Sequence, residues 1–534
     1  MATRPWLALV FTFVLPACGD DGPPVSSPAS CGAPAASDVP GQVATTSGLV
    51  QGKLAGGTWT WQGVPFAAPP VGPLRFAPPV AAPCWEGVKL ATAFAPACLQ
   101  KGEDGTITGS EDCLTLNVWA PESASASSAL PVLVFIHGGG HQQGSASQEV
   151  VPGLRLYDGQ HFVERSGALL VTLDYRLGPF GFLAHPALSA ERPEKSGNYG
   201  MLDQIFALEW VKHNIARFGG DPARVLVFGE SAGAVSTCRL VASPLAAGLF
   251  ASAIVESGAC TAKPLAEAEA QGVTVAEAVG CSDVACLRDV SADALVATVA
   301  PLEGASLRQT YDGVIDGVAV PEHPIASIES GRHNAVPVII GTNTEEQGRA
   351  VPAITSEAEY AEAVRAYAAS LGAPGLAPLL LARYPVSDYA SPRAAFVALA
   401  TDFKFACPAR KALRAFEQGQ SPAVYRYVFG HVADNAAPRV KALGATHGSE
   451  LAFVFDALPN PGAGDELVAA AFNGYWSRLA ATGDPNGGQA PTWPAYEALG
   501  EPHLAIDAPL AVGTAYRAPQ CDFLENLLEN LGGT

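Results

Sequence analysis

The sequence predicts an α/β fold in which a mostly parallel, twisted sheet is covered by helices on both faces. From about residue 47 onward, short continuous apolar runs typical of buried strands alternate with longer helical patterns. Of the 534 residues, 49% are hydrophobic and 15% are charged, which supplies enough apolar side chains for a large core. No repeat of about 20–50 residues appears, so a solenoid or propeller is disfavoured.

The elements that support this prediction follow one another along the chain. Strands are expected in the runs 131–140, 168–177, 252–258, 336–343 and 423–430. The run 201–220 predicts an amphipathic helix, because apolar residues recur at helical spacing from Leu202 to Val211 and Gly219 and Gly220 stop it. The run 224–243 predicts a strand, a tight turn and a helix in immediate succession.

The amino terminus predicts export. Residues 1–17 contain a cationic start followed by the apolar run WLALVFTFVLPA, which is typical of a signal peptide. The end of this run resembles the bacterial lipobox, although Pro16 departs from it, and Cys18 is therefore a candidate lipid anchor to a membrane. The alternative is cleavage nearby and release. Residues 18–46, rich in Gly, Pro and Ser, predict a flexible tether, and 47–534 predict one domain.

Net charge and cysteine content exclude some classes of partner and indicate the compartment. The formal net charge is −20, and such an acidic body repels nucleic acid. Without Cys18, ten of the 11 cysteines remain, an even number that suits disulfides in an oxidising compartment. No C-x-x-C pair and no Cys/His cluster at zinc spacing occurs, so neither a metal site nor a cofactor is predicted.

A candidate nucleophile lies between the predicted strand and helix of 224–243. Residues 229–233 read GESAG and fit G-x-S-x-G, in which a strained turn between strand and helix exposes the Ser231 hydroxyl. The run HGGG at 137–140 ends an earlier strand, and the amides of Gly139 and Gly140, with that of Ala232, are candidate oxyanion donors. Alone, that run favours a glycine turn without a ligand, but together with G-x-S-x-G about 90 residues later it favours the oxyanion role.

A serine nucleophile needs a base and an acid that orients the base. The chain order Ser, acid, His leaves His431, His447 and His503, of which His503 is expected at the surface. Spacing favours His447 only modestly over His431, which follows an apparent strand. The candidate acid lies in the segment 341–348, just after a predicted strand, where Glu345 and Glu346 are adjacent.

Many ordered motifs resemble the carboxylesterase type B family of the α/β-hydrolase fold. They span about residues 46–521 and include WQGVPFAAPPVGPLRFAPP, SEDCLTLNVWAP, HGGG, DYRLGPFGFL, FGESAG, GTNTEE and HGSELAFVF. The resemblance implies Ser231 as nucleophile, Glu346 as acid and His447 as base. Gln347 departs from the glycine that usually follows the acid, which leaves Glu345 as a rival.

The resemblance implies further residues. The amides of Gly139, Gly140 and Ala232 match the oxyanion donors, and polar residues around the triad match Glu230, Ser257 and Glu450. It implies three disulfides, Cys98–Cys113, Cys281–Cys286 and Cys407–Cys521. The pairs Cys31–Cys84 and Cys238–Cys260 then remain by elimination only.

The resemblance implies a serine hydrolase that cleaves small carboxylic esters through an acyl-enzyme. The loop 98–113 carries no aromatic residue to stack on choline, so cholinesterase activity is disfavoured. The alternatives are the same triad acting on lactones, thioesters, carbamates or amides, or a non-catalytic adhesion module of the same fold. Segments 259–330 and 355–420 are expected to cover the site.

Overall fold

The computed structural model describes residues 31, 37–151, 153–193, 195–300 and 311–530. Its strands, in chain order, are β1 Gln42–Ala44, β2 Leu49–Gln51, β3 Lys53–Ala55, β4 Thr58–Pro65, β5 Val88–Leu90, β6 Gln100–Lys101, β7 Ile107–Thr108, β8 Thr115–Pro121, β9 Leu130–Ile136, β10 Glu149–Val151, β11 Leu154–Arg155, β12 Leu169–Leu173, β13 Gly220–Glu230, β14 Ser252–Glu256, β15 Lys263–Pro264, β16 Val314–Ile315, β17 Val338–Asn343, β18 Val424–Phe429, β19 Pro502–Ile506 and β20 Ala511–Thr514.

The α-helices are α1 Gln160–Ser166, α2 Gly178–Phe182, α3 Pro186–Ser189, α4 Tyr199–Asn214, α5 Ala232–Ala242, α6 Leu265–Ala278, α7 Val284–Asp289, α8 Ala292–Ala297, α9 Pro324–Glu329, α10 Glu357–Ser370, α11 Ala377–Arg383, α12 Pro392–Thr401, α13 Cys407–Gly419, α14 Pro438–Lys441, α15 Leu451–Val454, α16 Ala463–Thr482 and α17 Ala518–Asn530. Short 3₁₀ turns lie at Gly72–Leu74, Ile215–Phe218, Pro244–Ala246, Glu346–Gly348, Pro374–Leu376 and Val386–Asp388, and Asp402–Ala406 is π-helical.

One eleven-stranded sheet organises the molecule. Its strand order is β20-β19-β18-β17-β14-β13-β9-β12-β8-β4-β3. The strands from β19 to β12 in that order run parallel, and the strands at both edges pair antiparallel. The predicted mostly parallel sheet is therefore confirmed, and the carboxyl ends of its central strands meet at one edge, where ligands of such sheets bind.

Each face of the sheet packs against its own helices, because neighbouring residues of a strand point to opposite faces. In β9, Val132 and Val134 join the core that contains α4 and α5. Leu133 and Phe135 join the core on the other face, which contains α16. This alternation explains why the central strands read as continuous apolar runs.

Helix α4 differs from the amphipathic helix expected at 201–220. It starts at Tyr199, ends at Asn214 and is buried nearly all round. Its polar Asp203 and Gln204 are also buried, because Asp203 pairs with Arg176 and the Gln204 amide donates to Ser236. The apolar spacing predicted that only one face of the helix is buried. The other face is buried as well, because its polar side chains bind residues that lie far away in sequence.

The folded body includes some of the residues before 47, which the sequence assigned to the tether 18–46. Strand β1 pairs with β2, and the Thr46 amide donates to Asn214 at 2.7 Å. Cys31 is joined to Cys84. The predicted signal peptide 1–17 and the anchor at Cys18 lie outside the described residues. Within the described ranges, none of the helices combines the length and apolar character needed to span a bilayer.

Five disulfides join cysteines of the described ranges. They include the three pairs implied by resemblance, Cys98–Cys113, Cys281–Cys286 and Cys407–Cys521. The other two are the pairs left by elimination, Cys31–Cys84 and Cys238–Cys260. The bond at Cys521 ties the carboxyl-terminal helix α17 to the start of α13.

Replacing Asp203 by Asn should destabilise the fold strongly. Asp203 binds Arg176 through two bonds of 2.8 and 2.7 Å, and both side chains are buried. Since the substitution leaves a buried guanidinium without its counter-charge, we expect the free energy of unfolding to fall by about 3–5 kcal/mol. Urea unfolding would measure the loss.

The control for Asp203→Asn is Glu362→Gln, which breaks an exposed pair with Arg365. We expect this control to change the free energy of unfolding by less than about 1 kcal/mol, because water screens exposed pairs. Similar losses in the two variants would contradict the importance of the buried pair.

Candidate active site

Ser231 occupies a strained turn between β13 and α5. Its backbone has φ 58° and ψ −120°, a region that non-glycine residues rarely adopt. A Cβ at Gly229 would lie 2.5 Å from the Gly233 backbone, and one at Gly233 would lie 1.9 Å from the Ile136 carbonyl oxygen. The two glycines therefore let strand and helix approach closely enough to make this turn.

Three distant segments bring their side chains together at this turn. The Nε2 atom of His447 lies 2.8 Å from the Ser231 hydroxyl oxygen. Its Nδ1 atom lies 2.7 Å from Oε2 of Glu346. The other Glu346 oxygen accepts a 2.8 Å hydrogen bond from the Asn343 amide, and the His447 amide donates to the Glu346 carbonyl. These bonds fix the carboxylate and the imidazole relative to each other.

The rival acid is turned away from His447. The Glu345 carboxylate accepts bonds from the Ala445 amide at 3.0 Å and from the Thr344 hydroxyl. It therefore braces the loop that carries His447. Adjacent residues on this short turn point in different directions, and for this reason the sequence alone left both glutamates open.

The rival histidines have other surroundings. His431 lies with Nε2 2.9 Å from Asp465 and Nδ1 3.0 Å from Asp507. His503 is 7% exposed in β19 beside Tyr516, so the expectation of a surface position is wrong. The expectation rested on the polar carboxyl-terminal end of the chain, whereas His503 lies in β19, which pairs with two strands of the sheet.

A possible cation-binding group also involves His431. Its ring and the carboxylates of Asp434 and Asp465 lie within 4.8 Å of one another. However, the Asp465 carboxylate already accepts the amides of Gly462 and Asp434, and the Asp434 carboxylate accepts the amide of Gly464. These hydrogen bonds belong to the cap at the start of helix α16, and the cap explains why the three side chains lie close together.

The glycine run lies against the nucleophile. A Cβ at Gly138 would lie 2.9 Å from the Ser231 Cβ, so only glycine fits there. Gly139 and Gly140 have φ angles of 100° and 62°. Within the described ranges, the amides of Gly139, Gly140 and Ala232 donate no hydrogen bond to the protein. They are therefore available to an oxygen atom of a substrate.

Glu230 adds a second carboxylate beside the imidazole. Its Oε1 atom lies 3.2 Å from Nε2 of His447. Burial raises the pKa of Glu230 to about 7, and the charge of Glu346 contributes to the shift. Burial disfavours the charged imidazole, but the negative charges of Glu230 and Glu346 outweigh it, and the pKa of His447 is raised above its ordinary value.

The other polar candidates lie in the wall behind Ser231, His447 and Glu346. Glu450 accepts a short hydrogen bond from the Asn343 side-chain amide, and burial raises its pKa well above the usual range. Ser257 is buried with φ 54°, and its amide donates 2.9 Å to the Gly341 carbonyl. Both residues thus support the strand ends that carry the site.

Three residues of this wall were missed from the sequence. Asn343 binds both Glu346 and the Thr446 carbonyl, which joins the acid segment to the histidine segment. Glu256 accepts a bond from Trp476, and burial raises the pKa of Glu256 to about 8. Phe405, in the π-helical turn, lies with its ring centre 4.7 Å from that of His447. Nothing in the local sequence marks these long-range contacts.

A parallel sheet with a serine on a strained strand-to-helix turn, next to a histidine and a carboxylate, defines the α/β-hydrolase fold. A sequence model of the carboxylesterase family matches residues 40–524. The chain belongs to the carboxylesterase family.

Curated relatives and solved structures agree with this assignment. The chain is 34% identical to an acylcarnitine hydrolase of Mus musculus, with 90% of each chain covered. It is 34% identical to a cocaine esterase of Homo sapiens, with 91% of this chain and 90% of the relative covered. The structure matches a PNB esterase with a TM-score of 0.78 and 32% identity, covering 91% of this chain and 100% of the other. These relatives identify the protein as a carboxylic-ester hydrolase.

Replacing Glu230 by Gln should shift the pH profile of ester hydrolysis. The negative charge of Glu230 favours the protonated imidazole, so the neutral amide should lower the pKa of His447. Because the base works unprotonated, we expect the acid limb of kcat/KM to move to lower pH by about one unit.

The measurement is a set of kcat/KM values for a short p-nitrophenyl ester across the acid range. Glu417→Gln, which removes an exposed carboxylate, is the matched control and should leave the acid limb in place. An acid limb that stays fixed or moves to higher pH in Glu230→Gln would refute the assigned influence of Glu230.

Proposed function

We propose that Ser231, His447 and Glu346 form the catalytic triad of this ester hydrolase. The single observation that carries the proposal is the continuous chain of contacts from the Ser231 hydroxyl through His447 to Glu346, at 2.8 and 2.7 Å. These are the distances that proton transfer to a base and orientation of that base require. No cofactor or metal takes part in the proposed steps.

In the first half of the reaction, the Ser231 oxygen attacks the ester carbonyl carbon while Nε2 of His447 takes the hydroxyl proton. Glu346 accepts the Nδ1 proton in a hydrogen bond and stabilises the imidazolium. The carbonyl π bond breaks and its electrons form an oxyanion. When the carbonyl re-forms, the bond to the alcohol oxygen breaks, and His447 returns the proton to that oxygen.

In the second half, water attacks the acyl-enzyme carbonyl and His447 takes one water proton. Collapse of the new oxyanion breaks the bond to the Ser231 oxygen, which recovers its proton from His447. The amides of Gly139, Gly140 and Ala232 receive the oxyanion in both halves. This role is supported by their free donors and by the contact of the glycine run with Ser231.

We propose small carboxylic esters as the substrates. The relatives include an acylcarnitine hydrolase, a pyrethroid hydrolase and a cocaine esterase, whose names point to different substrates. For this chain we therefore propose only the ester bond, and no particular acyl or alcohol group, as the feature that its substrates share. Phe405 lies against His447 and would offer an apolar surface to a substrate group at this side of the site.

We further propose that the protein is exported. Five disulfides support an oxidising compartment. The apolar run before Cys18 supports a signal peptide, and the sequence of 15–18 supports a lipid anchor at Cys18. The named relatives are mammalian and lend no support to a bacterial source. Metabolic labelling with a fatty acid in wild type and Cys18→Ala would distinguish anchoring from release.

Replacing Ser231 by Ala should abolish hydrolysis of a short p-nitrophenyl ester. The substitution removes the attacking oxygen, so we expect kcat to fall by about 10⁴-fold or more while the fold stays intact. Steady-state kinetics and circular dichroism measure the two properties. Unchanged hydrolysis would contradict the triad, and absence of hydrolysis in the wild type as well would favour an adhesion module.

The two adjacent glutamates allow a matched test of the acid. Glu346→Gln leaves His447 without a negative partner at Nδ1, and we expect kcat to fall by about 10³-fold or more. Glu345→Gln changes the neighbouring carboxylate, which binds Ala445, and should keep kcat within about threefold of the wild type because it does not touch the imidazole. A reversed order of the two effects would assign the acid to Glu345.

A further inference from the structure

His141 follows directly after the glycine run and is fully buried. Its backbone has φ 57°, and its carbonyl accepts a 2.6 Å hydrogen bond from the Gly178 amide. A non-glycine residue in this conformation is strained and persists only where its surroundings hold it. The surroundings of the His141 side chain therefore need an explanation.

The His141 ring reaches the helix that follows the nucleophile. Its Nε2 atom lies 3.1 Å from the Ser236 hydroxyl oxygen, which also accepts a 3.1 Å hydrogen bond from Gln204. Its Nδ1 atom lies 3.4 Å from a carboxylate oxygen of Asp312. Since the Gln204 amide donates to the Ser236 oxygen, the Ser236 hydroxyl hydrogen is left to donate to Nε2, and the ring proton then lies on Nδ1, on the side of the Asp312 carboxylate.

Asp312 is itself firmly held. It forms an ion pair with the buried Arg239 of α5 and accepts the Gly313 amide at 3.0 Å. The Arg239 side chain also donates to the Thr261 carbonyl at 2.7 Å. The adjacent disulfide Cys238–Cys260 ties the same part of α5 to the same segment covalently. The ring of His141 is thus attached to a rigid support.

The contacts of His141 with Ser236 and Asp312 connect the two separate parts of the oxyanion site. Gly139 and Gly140 immediately precede His141, whereas Ala232 begins α5 one helical turn before Ser236. We propose that His141, held by Ser236 and Asp312, is a positioning residue that fixes the amides of the glycine run relative to that of Ala232. The inference rests on the proposed function, since it concerns the same oxyanion site.

Asp312, His141 and Ser236 contact one another as the carboxylate, imidazole and hydroxyl of a catalytic triad do. They cannot act as a triad here. His141 and Ser236 are 0% and 1% exposed, so a substrate cannot reach this hydroxyl. Its oxygen is also occupied by Gln204. The network therefore acts through the backbone of the glycine run and not on a substrate.

The test is His141→Phe. Phenylalanine retains an aromatic ring beside Phe182, whose ring centre lies 4.6 Å from that of His141, and it removes both polar contacts. Losing one oxyanion donor costs about 10²–10³-fold in kcat, so misplacing the donors should lower kcat by about tenfold or more. KM for the p-nitrophenyl ester should stay within about twofold, because the contacts strengthen only in the transition state.

Affinity for an aryl trifluoromethyl ketone is the second measurement. Such a ketone adds to the serine and places an oxyanion on the same amides, so its affinity should fall by the same factor as kcat. A merely structural role would lower the unfolding temperature without this parallel loss. His213→Phe, at an exposed position of α4, is the matched control and should change neither quantity.

Ser236→Ala keeps the proposal falsifiable if His141→Phe fails to fold. It deletes one hydroxyl, and we expect kcat and ketone affinity to fall together by about threefold to tenfold, with no further loss when it is combined with His141→Phe. Unchanged kcat and ketone affinity in a folded Ser236→Ala would overturn the inference. A wild type that neither hydrolyses the ester through Ser231 nor binds the ketone would instead overturn the proposed function.

Discussion

The backbone passes from β13 into α5 at Ser231, where φ is 58°. An isolated chain would avoid this conformation, so the sheet and the helix must enforce it through the close approach at Gly229 and Gly233. The same turn places the hydroxyl toward His447 and the first amide of α5 beside the glycine run. Strand pairing of β13 with β9 and β14 therefore determines the geometry of the whole site.

Buried carboxylates give this site its electrostatic character. Burial raises the pKa of Glu230, Glu256 and Glu450, and the charge of Glu230 adds to the shifts of the other two. The Glu346 carboxylate accepts a hydrogen bond from the Asn343 amide and lies 2.7 Å from Nδ1 of His447. The negative charges of Glu230 and Glu346 raise the pKa of His447, the group that becomes positive during the proposed reaction, and so stabilise the imidazolium.

Local patterns were sufficient to predict the central strands, the turn at Ser231 and the class of enzyme. Apolar runs and glycine spacing are local properties, and the order of motifs identified the family. The sequence left Glu345 open as a rival to Glu346, because local sequence does not show which of two adjacent carboxylates lies beside the imidazole. The roles of Asn343 and His141 likewise depend on partners about one hundred residues away. The early start of the fold was hidden because Gly and Pro around β1 resemble a linker.

Covalent labelling tests the central claim most directly. The wild type would be treated with an aryl fluorophosphonate, digested and mapped by mass spectrometry. The account predicts one adduct per chain, on Ser231, because this partly exposed hydroxyl contacts an imidazole beside a carboxylate, whereas the Ser236 hydroxyl beside His141 is buried. An adduct on another residue, or no adduct on a folded chain, would contradict it.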